Sequence, residues 1–325
     1  MYVTDINVRS AAGASGARLS AQVIGPLVVR RGSRTLTSRE LGGPRQRQIL
    51  EILLLHLGTP VSKSRLVDLI WGAHAPAAAL ANLESYVSVL RRHLQPGEGR
   101  SGPLKTTNGG YVMDDSMVDL DLSGFDRLLD AARHSSAQEA YSMLRRALEV
   151  ASAPLLENEL GCEWIESQRS AYAARVVEAR VLVAEAGLEL GRYQESVVQA
   201  RNVLTDDPLN ERAWTVLVLG LEQSGRHVEG LQEYDRCRRT LGEELGCAPA
   251  PAVQAAYERL LRATAGSETE LGQVLSALLL LHGHAGASAG RLDARVLQSQ
   301  HRAAAVIQQF VERIMEPAVL VPMAS

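Results

Sequence analysis

At 325 residues, with 46% apolar and 22% charged residues, the chain has the make-up of a globular protein and room for two domains and a remainder. No apolar run approaches the ~20 residues of a membrane helix, the longest candidate, Leu278–Leu281, stopping at His282. The formal net charge of -3 conceals an asymmetry: residues 19–113 hold 12 Lys/Arg against 5 Asp/Glu, and residues 114–265 hold 16 against 26. A basic unit followed by an acidic one points to a polyanion as partner of the first part.

Met1–Gln22 has no apolar secretion core, so a cytoplasmic, nucleoid-associated protein is expected. Cys162, Cys237 and Cys247 lack metal-ligand spacing and read as buried free thiols. No phosphate loop, nucleophile elbow, HExxH or paired metal-ligand set occurs, which argues against an enzyme and against any cofactor.

Taken in chain order, residues 1–18 read as a flexible tail. Leu19–Arg30 and Arg34–Leu36 are β-prone runs broken by Gly25-Pro26 and Arg31-Gly32-Ser33, giving a small antiparallel sheet. Pro44 opens a helix to Leu57, which Gly58-Thr59-Pro60 stops. Ser62 is a candidate N-cap for a second helix ending at Trp71-Gly72, and a third helix spans about 77–94. Leu104–Thr107 and Tyr111–Met113, joined through Asn108-Gly109-Gly110, predict a hairpin. Strands, three helices and a hairpin in this order make a winged helix over 19–113. Trp71 and Tyr111 are expected as core aromatics supporting helix and wing.

The third helix carries the chemistry. At 100° per residue, Leu83, Val87, Leu90 and Leu94 share a core-facing side, opposite Ala81, Ser85, Ser88 and Arg92, with Asn82 and Arg91 on the flanks. Small front residues let a helix approach base edges in a major groove, where Arg and Ser bond bases or phosphates. A solvated helix face fits these residues equally well; the short helix before, the hairpin after and the positive balance favour DNA. Arg45 and Arg47 at a helix start, Lys63 and Arg65 opening the second helix, and Lys105, Thr106 and Thr107 on the hairpin are positioning candidates.

Beyond the acidic link Asp114–Asp121 the chain reads as helix to about residue 265. Gly191-Arg192-Tyr193-x-Glu195 returns 34 residues later as Gly225-Arg226-His227-x-Glu229, the tetratricopeptide period. Small Ser196 and Gly230 then fall where two helices cross closely. Residues 266–325 read as two further helices around a small-residue stretch.

Three stretches now resemble an OmpR-type winged helix: Leu66–Gly72, Asn82–Leu94 with its Val-Ser-x-Leu-Arg-Arg-x-Leu run, and Thr106–Tyr111. Gly225–Tyr234 followed by Leu241-Gly242-Glu243-Glu244-Leu245-Gly246-x-x-Pro249 resembles the bacterial transcriptional activation domain. Both in this order resemble the Streptomyces antibiotic regulatory protein family over roughly 19–265. The resemblance implies a mainly α protein with a small β component: the winged helix at 19–113, tetratricopeptide-like helices at 114–265, and 266–325 as a helical C-terminal extension. It implies an activator of an antibiotic gene cluster that binds double-stranded promoter DNA at direct repeats as a side-by-side dimer. It also implies recruitment of RNA polymerase holoenzyme through the sigma factor's promoter-binding region, the alpha C-terminal domain being a further candidate contact. Ser88, Arg91, Arg92, Lys105 and Thr107 match its DNA-contact motifs. Two departures stand out: the family's Leu-Trp-x-Gly segment reads Val150-Ala151-Ser152-Ala153, and residues 266–325 exceed the minimal architecture. A repressor and a protein-interaction scaffold are the alternative readings.

Overall fold

The computed structural model describes residues 18–159 and 163–265, and the chain divides into two compact units, Met1–Ala179 and Arg180–Ser325. The expected tail, Cys162 and the helices of 266–325 lie outside the described residues. The protein is mainly α with a small β component, and no described helix is long and apolar enough to cross a membrane.

The first unit opens with β1 (Leu19–Gln22), β2 (Val28–Arg31) and β3 (Arg34–Leu36). Leu19 and Ala21 are buried while Ser20 and Gln22 are exposed, the period-2 signature of a one-sided sheet. The sheet is larger than the expected antiparallel one. Residues read as a link supply β7 (Val118–Leu120), which pairs parallel to β1, in the order β3-β2-β1-β7. Three residues with two inward positions are too short a run to signal a strand; the pairing with β1 makes it one.

Between these strands lie α1 (Ser38–Leu41), α2 (Pro44–Leu55), β4 (Val61–Ser62), α3 (Lys63–Trp71), α4 (Ala79–Leu94), β5 (Leu104–Thr107) and β6 (Gly110–Met113). Ser62 caps α3 as expected, its hydroxyl accepting from the Arg65 amide at 3.1 Å. Ile49, Ile52 and Leu53 of α2 and Leu83, Val87 and Leu90 of α4 are fully buried, so these helices pack through the apolar sides their periodicity marks. Tyr111 is buried as expected. Trp71 is only half-buried, stacked on Tyr86 with centroids 6.4 Å apart; at the last position of a short helix, part of its ring remains open to solvent.

After β7 come α5 (Asp121–Ala132), α6 (Ala137–Val150) and α7 (Glu163–Glu189). The Asp121 carboxylate accepts from the Val23, Ile24 and Leu122 amides at 2.9, 3.0 and 2.7 Å, fixing the chain leaving β1 to the start of α5. Beyond α6, Gly25 donates to the Pro154 carbonyl at 2.8 Å and Leu156 to that of Val23 at 2.8 Å. Arg169 ties this turn down through the Leu155, Leu156 and Glu159 carbonyls.

The second unit contains α8 (Tyr193–Asp206), α9 (Glu211–Gln223), α10 (His227–Leu245) and α11 (Pro251–Ala265). The 34-residue repeat is visible in the backbone. Gly191 and Gly225 adopt φ of 75° and 73°, and the Arg192 and Arg226 amides return to Gly187 and Leu221 at 2.8 and 2.9 Å. A Cβ on Gly230 would lie 2.9 Å from Leu260, and Ser196 is buried, so the small residues do mark close crossings. Trp214 is fully buried and donates to the Pro208 carbonyl at 2.9 Å. Of the cysteines, Cys237 is buried, its thiol pushed up to about 12 chiefly by burial, whereas Cys247 is exposed, contrary to expectation. It follows Gly246, which ends α10 in the left-handed conformation and carries the chain outward.

Candidate nucleic-acid interface

The front of α4 is arranged as its periodicity predicts: Ala81, Ser85, Ser88 and Arg92 are exposed, opposite the buried Leu83, Val87, Leu90 and Leu94. Asn82 and Arg91 are half-buried on the flanks. The Ser88 hydroxyl donates back to the Glu84 carbonyl at 2.9 Å, so toward a ligand it offers its lone pairs. Ser85, Arg92 and Arg65 are exposed without a side-chain partner among the described residues.

Other candidates are already engaged. Arg91 donates through Nε to the Leu104 carbonyl at 3.1 Å and through Nη2 to the Thr106 hydroxyl at 2.7 Å, with its guanidinium 5.7 Å from the Tyr111 ring centre. Lys63 stands 5.8 Å from the same ring and pairs with Glu84 at 2.5 Å, which raises its pKa. Tyr111 is thus the hub where the start of α3, the end of α4 and the wing meet. Burial, first, pushes its hydroxyl's pKa up. Lys105 pairs with Asp114, whose carboxyl is held down to about 2 by hydrogen bonds from Lys105 and Ser116. Thr107, half-buried, begins the hairpin turn.

Glycine makes this hub possible. Gly109 takes a φ of 86° in the Asn-Gly turn. A Cβ on Gly110 would sit 2.2 Å from the Val61 carbonyl oxygen, so only glycine lets β6 approach β4 this closely. The Gly109 carbonyl accepts from the Lys63 amide at 2.9 Å, registering the wing on α3.

Arg45 lies apart from this hub. It donates to the Ile70 carbonyl at 2.6 Å and lies 5.9 Å from the Trp71 ring centre, at the opposite end of α3 from Lys63. Arg47 is half-buried on α2 and faces Glu51, a carboxyl with 2% exposure. Burial and the neighbouring Glu159 carry Glu51 up to about 8, against a small opposing effect of Arg47. Sequence reading missed three features. Glu84 restrains Lys63 across 21 positions of sequence. Glu51 is a charged residue on a buried side of a helix. Leu80, 54% exposed in the first turn of α4, presents an apolar contact where only polar ones were sought.

Residues 39–113 match the C-terminal domain of transcriptional regulatory proteins, and residues 120–261 match the bacterial transcriptional activator domain. The chain belongs to the Streptomyces antibiotic regulatory protein family of transcription activators. It is 34% identical over 250 residues to the regulatory protein AfsR of Streptomyces coelicolor, covering 74% of this chain but only 24% of AfsR. It is 29% identical over 263 residues to the regulatory protein DnrI of Streptomyces peucetius, covering 76% of this chain and 94% of DnrI. Among solved structures, Mycobacterium tuberculosis EmbR in complex with a low affinity phosphopeptide is similar with a TM-score of 0.66 and 27% identity, over 92% of this chain and 72% of that one. The match over residues 39–113 includes α3, α4 and the β5–β6 wing.

Proposed function

We propose that this activator switches on an antibiotic biosynthetic gene cluster by binding direct repeats in promoter DNA with α4 in the major groove and the wing beside it. Residues 19–113 are the DNA-binding domain and 114–265 the activation domain. Two protomers lie side by side on the repeats and recruit RNA polymerase holoenzyme, chiefly through the sigma factor's promoter-binding region.

The observation that supports this most is the division of labour on α4. Arg91 holds the wing while Arg92, Ser85 and Ser88 remain on the open side with no acidic side-chain partner among the described residues. Arg92 and Arg65 then meet guanine edges or phosphates, and Ser85, Ser88 and Asn82 meet base edges or phosphates. Leu80 is suited to a thymine methyl. Arg45, Arg47, Lys63, Lys105, Thr106 and Thr107 serve as positioning contacts, several exchanging an internal partner for a phosphate. Transcription in vitro with holoenzyme tests the reading: the chain should raise transcript yield only from templates carrying intact repeats, and a decrease in yield would make it a repressor.

A further inference from the structure

The outer face of the N-terminal sheet is exposed and carries a row of polar residues. Ser20 of β1 pairs with Arg30 of β2 on one side and with Asp119 of β7 on the other, placing three polar residues in a row across the sheet. Arg127 of α5 and Arg146 and Val150 near the end of α6, all exposed, border this row and line with it an open cleft of about 600 Å³. That size falls within the range of small-molecule sites.

Three guanidinium groups, those of Arg30, Arg127 and Arg146, line this one cleft, and none has a hydrogen-bond or ion-pair partner among the described residues. Some arginines of the same unit are paired, Arg34 with Glu40, Arg133 with Glu178 and Arg175 with Asp126, whereas these three share one cleft unpaired, as Arg65 and Arg92 are on the exposed front. Two carboxylates also reach the cleft. Asp121 accepts from the amides of Val23, Ile24 and Leu122, and with Asp119 it sets two carboxylates against three cations. An excess of positive charge around a concave site favours an anionic occupant, and guanidinium groups match the geometry of carboxylate and phosphate.

We propose that this cleft binds a small organic anion, a metabolite bearing carboxylate or phosphate groups. Arg30, Arg127 and Arg146 hold its acidic groups, Asp119 and Ser20 its hydroxyls, and Val28 and Leu128 its apolar body. The bound molecule bridges the sheet to α5 and α6, so binding stabilises that arrangement by mass action.

The test is isothermal titration calorimetry of the full chain with citrate and with pyrophosphate at constant ionic strength. Saturable binding to one probe site per chain is expected, for one or both probes; citrate alone assigns a carboxylate ligand, pyrophosphate alone a phosphate. The double variant Arg127→Gln/Arg146→Gln should weaken binding at least about tenfold while keeping the probe-free unfolding midpoint of the parent chain. Arg92→Ala should bind the probes unchanged. The proposal is overturned by no saturable binding of either probe, or by equal affinity in the double variant. Loss of probe binding in Arg92→Ala overturns it too, since the ions would then sit on the DNA face. So does displacement of the probe from Arg92→Ala by duplex DNA, which would make the cleft a nucleic-acid path.

Discussion

Arg91 and Arg92 are adjacent in sequence and opposite in placement: one is bonded to the Leu104 carbonyl and the Thr106 hydroxyl of the wing, the other stands exposed on the front of α4. One helical step of 100° separates a residue that holds the wing from a residue left open on the front. Substituting each in turn separates the two roles. Arg92→Ala should leave the unfolding midpoint unchanged and weaken promoter binding by about 1–3 kcal/mol, the loss shrinking at high salt if the contact is to phosphate. Arg91→Ala should lower both stability and affinity, because it frees the wing; a charge-assisted pair of bonds of this kind contributes roughly 1.5–3 kcal/mol. Urea unfolding and gel-shift titration of the two variants check this, and equal behaviour would contradict it.

Glu51 predicts a pH dependence. Its folded-state pKa of about 8 lies above the ordinary carboxyl value of 4.5, so the folded chain binds the proton more tightly than the unfolded chain does. The stabilising contribution is therefore complete below pH 4.5 and is lost as pH rises through 8. Glu51→Gln should remove this slope, so the variant gains on the parent between pH 4.5 and 8 by up to about 1.4 kcal/mol per pH unit and its advantage is larger at pH 8.5 than at pH 6. Thermal unfolding midpoints of parent and variant at the two pH values measure it.

Gly110→Ala should destabilise the winged helix by about 2–4 kcal/mol, since the new Cβ meets backbone rather than a side chain that can turn away. The β4–β6 pairing, and with it the capping position Ser62, must shift. Near-native stability in urea would mean that β6 does not approach β4 this closely.

Much of the fold was legible because its signals are local. Asn108-Gly109 sets a hairpin turn by its φ alone, Ser62 caps α3 through an amide three residues on, and Gly191 and Gly225 repeat one backbone turn at 34 residues. What escaped depends on partners distant in sequence. β7 is a strand only because β1 lies beside it, nearly a hundred residues away in sequence. On the candidate interface, helical periodicity placed the front of α4 correctly. It could not tell Arg91, bonded to the wing, from Arg92, left exposed, because the difference is made by Leu104 and Thr106 on another element. Likewise Glu51 is a polar letter in a helix pattern until Glu159 and the core close over it.

Footprinting of the full chain on the promoter next to its own gene, repeated with Arg92→Ala, tests the central claim most directly. Two protected tracts in the same orientation, centred on a direct repeat and lost or weakened severalfold in the variant, are predicted. Protection that is absent, or that persists unchanged without the Arg92 side chain, would contradict the assignment of α4 as the DNA-reading helix.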